Sequence, residues 1–99
     1  MKISINGLHK AFENRIRLGI MSALAVNDVL DFISLKEYLD ATDGNLASHL
    51  KALEKEKYIG MEKSFVDRKP NTKYFMTKEG KQAFNQHLQT LEKLIKSQK

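Results

Sequence analysis

The 99 residues predict a mainly α fold carrying one β-hairpin, an α+β domain. Three observations carry that expectation. Apolar residues recur at spacings of three and four through residues 8–59. After Tyr58-Ile59-Gly60 the period drops to two, the mark of strands. A four-three-four spacing then returns after Thr77. The predicted order is helix, short strand, helix, helix, hairpin, helix.

Leu8, Phe12, Ile16, Ile20 and Leu24 fall four apart, with Met21 beside them, and predict a helix from Leu8 to Ala25. Asn27-Asp28 ends it. Gly19 inside this run costs about 0.5–1 kcal/mol relative to alanine, so it is expected where another helix approaches closely. Val29 to Ile33 reads as a brief strand or an extended lead-in. Ser34-Leu35-Lys36-Glu37 has the form of a capping box, with Ser34 capping a second helix and Glu37 reaching back. Leu35, Tyr38 and Leu39 give that helix an apolar side.

Ala41-Thr42-Asp43-Gly44 separates it from a third helix, in which Leu46, Leu50, Leu53 and Lys57 share one line. Tyr58 and Ile59 close that helix. Two short helices joined by a short turn containing glycine are the helix-turn-helix signature. Thr42 or Asp43 is the expected N-cap of the second of them. Met61, Lys63 and Phe65 then alternate with Glu62, Ser64 and Val66. Asp67-Arg68-Lys69-Pro70-Asn71 reads as a polar turn and Thr72 to Thr77 as the returning strand. Pro70 is expected at the tip because it cannot donate to a ladder. Thr77 caps a last helix, whose Phe84, Leu88, Leu91 and Ile95 form an apolar seam with Leu94 beside it. Lys93, Lys96 and Lys99 stand near its C-terminal end, where cations suit the helix dipole.

Composition narrows the function classes. A chain of this length makes one domain, spanning residues 1–99. It has no cysteine, which excludes disulfides and thiolate metal sites. Met1 to Gly7 contains no long apolar run, so no signal peptide is expected, and no stretch nears the roughly 20 apolar residues of a membrane helix. The net charge of +5 is uneven: residues 1–50 hold 5 basic and 6 acidic side chains, residues 51–99 hold 12 and 6. Such one-sided charge points to a polyanionic partner or an acidic surface. A membrane surface fits poorly, because no helix combines a basic face with bulky aromatics. His9, His49 and His87 lack metal-ligand spacing, and zinc needs three or four ligands. No phosphate loop, nucleophile elbow or acid pair is present, so neither an enzyme nor a cofactor is expected.

The run Asp43-Gly44-Asn45-Leu46-Ala47-Ser48-His49-Leu50-Lys51-Ala52-Leu53-Glu54 resembles the recognition helix of winged-helix transcriptional regulators of the MarR/ArsR type. Phe65, Arg68, Lys69, Pro70, Thr72, Tyr74 and Thr77-Lys78-Glu79-Gly80 resemble the wing and the start of the last helix in that group. Asn14-Arg15-Ile16-Arg17-Leu18 resembles its first helix. The resemblance spans roughly residues 8–92. Ala47 and Ser48 depart from the serine and the arginine or lysine common there. The resemblance implies a winged helix-turn-helix fold, a double-stranded DNA partner, a cytoplasmic location and, in many members, a small-molecule effector.

Helical geometry assigns the faces. At about 100° per residue, Leu46, Leu50 and Leu53 share one side, and Gly44, Ser48, Lys51 and Lys55 the opposite one. Asn45 and Ala52 flank the outer face. His49 lies at the boundary, either as a packing residue or as a base reader. A helix fits the major groove, where base edges are distinguishable. Asn45 and Ser48 are the expected base readers, Lys51 a base or phosphate contact, Lys55 a backbone contact, and the amides near Gly44 a phosphate site. Arg68 and Lys69 are expected at a minor groove or phosphates, with Asn71, Thr72 and Lys73 adding polar contacts. The seam of Phe84, Leu88, Leu91 and Ile95 has two readings, packing on the domain's own first helix or pairing with a second subunit; the favoured expectation is a homodimer, with residues 78–99 and the N-terminal helix as the dimerisation region. A twofold dimer sets two recognition helices about 10–10.5 bp apart. The rival expectation is a winged-helix module that binds another protein and no DNA.

Overall fold

In the computed structural model, which describes residues 4–97, a three-stranded antiparallel sheet stands against three helices while a fourth runs outward. A 3-10 turn, Lys10–Phe12, precedes α1 (Arg15–Val26), β1 (Leu30–Asp31), α2 (Phe32–Leu39) and α3 (Asp43–Lys55). The hairpin β2 (Ile59–Val66) and β3 (Lys69–Met76) leads into α4 (Lys78–Lys96). The strand order is β1-β3-β2. This is an α+β winged helix-turn-helix fold, as the periodicities and the resemblance predict. Lys99 and residues 1–3 lie outside the described residues.

The core forms where α1, α2 and α3 turn their apolar lines inward. Ile20, Met21, Leu24, Leu35, Leu46, Leu50 and Leu53 are buried together, with Phe12, Ile59 and Phe84 closing the cluster. Gly19 packs beneath Leu39, so the close approach expected there is that of α2. Thr42 caps α3 by accepting the Asn45 amide, and Thr77 caps α4 by accepting the Gly80 amide.

Local hydrogen bonds correct several boundaries. The first apolar stripe is not one helix. The Asn14 side chain accepts the Ile16 and Arg17 amides and starts α1 afresh, leaving Leu8 and Phe12 on a separate segment. Asp31, not Ser34, caps α2: its carboxylate accepts the Ser34 amide at 2.8 Å, so Ser34 is already helical. The turn between α2 and α3 contains no glycine. Asp40 takes the left-handed conformation there (φ 50°), donating its amide toward Lys36 and Glu37, while Asp43 and Gly44 belong to α3. Lys57, expected on the leucine line, lies beyond the helix with φ 66°.

The hairpin turn is shorter than expected. Asp67 and Arg68 alone form it, with φ 52° and 66°, which is the two-residue geometry matching strand twist. Pro70 therefore sits inside β3, opposite Phe65, rather than at the tip. In such a hairpin the pair flanking the turn exchanges both ladder bonds and the next pair does not. The missing N–H of Pro70 thus falls where no bond to β2 is made. β1 reaches only Lys73 and Tyr74 on the other side.

α4 is anchored at its start and along its first half. A Cβ on Gly80 would collide with the Tyr58 carbonyl oxygen. Thr77 donates its amide to that same carbonyl and its hydroxyl to the Lys57 carbonyl. Phe84, expected in an intersubunit seam, is instead buried in the protein's own core, edge-on to Phe12 at 5.4 Å. His87, 3% exposed, accepts the His9 amide at Nδ1 over 3.0 Å, which fastens the N-terminal segment to α4. Burial and then the neighbouring His9 push the His87 pKa down, against an upward pull from Glu13.

Two outcomes follow from this anchoring. Gly80→Ala places a methyl group against backbone and should destabilise the fold by about 1–3 kcal/mol, despite alanine's better helix propensity, as read by urea unfolding. His87 and His49 both titrate below their ordinary value of 6.5 in the fold, so the unfolded chain binds more protons. Stability should hold above pH 6.5 and decline as pH falls through the folded values. In His87→Gln that decline should be shallower, compared as slopes of unfolding free energy against pH.

Candidate nucleic-acid interface

The rotation of α3 decides what it offers. Leu46, Leu50 and Leu53 are buried, and Gly44, Ser48, Lys51 and Lys55 are exposed on the opposite side. Asn45 is exposed at one margin. Lys51 and Lys55, with Ser48, Ala52 and Glu54, border an open depression on this outer face. Among the described residues no other element covers the expected outward side of α3.

Its two edges meet different neighbours. On one edge His49 turns to α1, where the Arg17 guanidinium donates to Nδ1 at 3.0 Å and also to the Ala11 carbonyl. Burial first, and Arg17 second, hold the His49 pKa below its ordinary value. Of the two roles left open for His49, packing describes its Nδ1 side. On the other edge Glu54 approaches Tyr74 of β3. Burial pushes the Tyr74 hydroxyl pKa up, and Glu54 adds to the rise.

At the start of α3 the Thr42 hydroxyl takes the Asn45 amide. The amides of Asp43 and Gly44 are first-turn donors without an intrahelical partner. A Cβ built on Gly44 finds no heavy atom within 4 Å, so the backbone there is openly approachable. The Asp43 carboxylate is drawn aside by Lys36 at 2.8 Å.

The wing distributes its side chains by parity. Tyr74 and Met76 pack on the core. Directly paired residues share a sheet face. The pairs Met61–Tyr74, Lys63–Thr72 and Phe65–Pro70 therefore lie on the face of Tyr74, the side that meets α3. Lys69, Asn71 and Lys73 lie on the other face, with Glu62, Ser64 and Val66. Lys73 pairs with Asp31 of β1. Hydrogen bonds from Ser34 lower the Asp31 pKa most, and Lys73 adds to that. Of the expected wing residues, Thr72 shares the α3 side, Arg68 stands at the apex, and Lys69, Asn71 and Lys73 face away.

Lys63 and Phe65 were not expected at the site. Both are exposed on the α3 side of the wing, Phe65 to 76%. The signal that finds them is the strand register, which depends on where the turn falls. Along α4, Leu88 and Ile95 are 42% and 69% exposed, and Leu91 is half-buried. Among the described residues no group of three His, Asp or Glu side chains converges as a metal site, and no helix is long and apolar enough to cross a membrane.

Comparisons with known proteins agree with this geometry. Residues 16–95 match the family described as winged helix DNA-binding domain. An uncharacterized protein of Methanocaldococcus jannaschii is 33% identical over 88 residues, covering 89% of this chain and 96% of that protein. The solved structure of a transcriptional regulator homologue from Pyrococcus horikoshii OT3 superposes with a TM-score of 0.82 at 32% identity, over 88% of this chain and 86% of that one. The ytfH protein of Salmonella typhimurium shares the fold, with a TM-score of 0.72 at 23% identity over 84% and 73% of the two chains. Matched to it over residues 16–95, the chain belongs to the winged helix DNA-binding domain family.

Proposed function

We propose that this protein is a cytoplasmic, dimeric transcriptional regulator of the MarR/ArsR type that reads double-stranded DNA. The observation that carries the reading is the outer face of α3, left uncovered between the α1 edge and the wing. The similarity to the transcriptional regulator homologue of Pyrococcus horikoshii supports a regulatory role. α3 enters the major groove, with Asn45 and Ser48 at base edges and Lys51 and Lys55 at bases or phosphates. The open backbone at Gly44 receives a phosphate. Arg68, Lys63 and Thr72 contact the backbone or minor groove from the wing, with Lys69 at its tip; Asn71 and Lys73 serve the far strand or solvent. No catalytic role and no cofactor are assigned.

The second subunit packs on α4 through Leu88, Leu91 and Ile95, with Phe84 lost to the monomer core. Leu88 and Ile95 keep apolar surface in water that a second α4 would cover. A twofold pair then matches a pseudo-palindromic site. A small-molecule effector, as in related regulators, would occupy the cleft between the two α4 helices.

Selection of duplexes from a random pool should enrich a two-half-site sequence with centres about 10–10.5 bp apart. With 6–8 phosphates neutralised, log affinity should fall against log salt with a slope near −5 to −7. Arg68→Ala should weaken binding to every sequence and flatten the slope, whereas Asn45→Ala should change which sequence is preferred. Gly44→Ala should raise stability by about 0.5–1 kcal/mol and still weaken binding. Absence of binding to random duplex near micromolar at low salt would replace this reading with a protein-interaction module. Leu88→Glu combined with Ile95→Glu should give a monomer in sedimentation; a persisting dimer rejects the α4 interface.

A further inference from the structure

We infer that the α1 edge of α3 is a second phosphate-contacting edge of the DNA footprint, where Arg17 orients His49 as an Nε2–H donor and Lys10 and Arg17 supply the positive charge. The inference rests on the DNA-binding reading above. It assigns contacts to Lys10 and Arg17, which lie outside the helix-turn-helix and the wing in the half of the chain whose charge is balanced.

The tautomer follows from donor chemistry. A guanidinium carries five N–H donors and no acceptor. Its contact with His49 Nδ1 at 3.0 Å therefore requires a lone pair on Nδ1, which leaves the ring proton on Nε2. The Arg17 side chain is held by a second bond to the Ala11 carbonyl, so the ring is oriented by a fixed partner. His49 stands on the margin of α3 next to the outer face, half-exposed. An Nε2–H there is a neutral donor that needs no protonation at physiological pH, in keeping with the depressed pKa.

Charge is gathered beside this donor. Lys10, Ala11 and Arg17 line a shallow cleft of about 200 Å³ with Ala52 and Glu56 of the α3 edge. Lys10 is exposed, and three of the five Arg17 donors remain beyond the two bonds described. Glu56 is the one carboxylate in the cleft lining and opposes an anion. The wing flanks α3 on the Glu54 edge and this cleft on the His49 edge. A helix seated in a major groove has a phosphate strand on each side. The wing supplies cations to one, and Lys10 and Arg17 supply them to the other.

Salt titration of the full-length protein on its selected duplex tests this. Lys10→Gln should reduce the log–log salt slope by about one per protomer, so that raising salt from 50 to 200 mM costs it about fourfold less affinity per protomer than wild type. Glu56→Gln should bind more tightly than wild type. Both residues are exposed, and unchanged thermal midpoints would separate these effects from folding. Nitrogen-15 shifts of the His49 ring in the free protein should show a pyridine-type Nδ1 and a pyrrole-type Nε2, and Arg17→Gln should mix the two tautomers. Wild-type slopes and affinities in both Lys10→Gln and Glu56→Gln, alongside a flattened slope in Arg68→Ala, would overturn the second edge and leave the DNA-binding reading standing. A pyrrole-type Nδ1 overturns the positioning role of Arg17. Failure of the wild type to bind any duplex strikes the DNA-binding reading itself.

Discussion

The packing of three leucines on α3 against α1 and its neighbours governs most of what this molecule presents to its surroundings. Leu46, Leu50 and Leu53 are almost wholly removed from water. Each such burial is worth roughly 1.5–3 kcal/mol, so turning the helix about its axis would be strongly opposed. Once that rotation is set, the 100° step between residues leaves no choice for the rest. Ser48, Lys51 and Lys55 point away from the core, His49 meets Arg17, and Glu54 meets Tyr74. A core constraint thereby orients a polar face that makes no core contact itself.

The wing follows other physics. Past Gly60, β2 buries nothing, and Phe65 and Val66 remain open to solvent. Hydrophobic burial sets the register only at the base of the hairpin, where buried Ile59 pairs with Met76, and not along its outer part. There the Asp67-Arg68 turn does so, because a two-residue loop of positive φ admits one pairing of the strands. Its cost is two non-glycine residues in a region L-residues disfavour, and Asp tolerates it better than Arg. Placing Arg68 there puts a cation at the apex rather than on either sheet face.

Polar groups near the core are arranged as acceptors and donors with defined partners. His87 accepts the His9 amide, and His49 accepts from Arg17. Both rings use Nδ1 as a lone pair and are disfavoured from charging. These two bonds join segments far apart in sequence, the N-terminal stretch to α4 and α1 to α3. With the further bond from Arg17 to the Ala11 carbonyl, they connect the segment before α1 to the proposed dimer helix and, through α1, to the proposed recognition helix.

Much of this was legible in the sequence, for a physical reason. Helical lines of leucine four apart and a Thr cap act locally, so α3 and its outer face were readable from Leu46, Leu50, Leu53 and Thr42. The switch to a period of two announced the hairpin in the same way. What the sequence could not decide were choices among competing caps and turns. The Asn14 and Asp31 side chains start helices where the apolar spacing marks no boundary, and Asp40 takes the left-handed turn position expected of a glycine. A five-residue turn would have brought Val66 opposite Thr72; the two-residue turn brings Lys63 there and exchanges the faces of the wing. Phe84 looked like part of an exposed seam, but its ring met Phe12, a residue 72 positions away. Local order was thus written in residue spacing, whereas register, caps and the edges of the candidate interface depended on contacts that only the folded chain brings together.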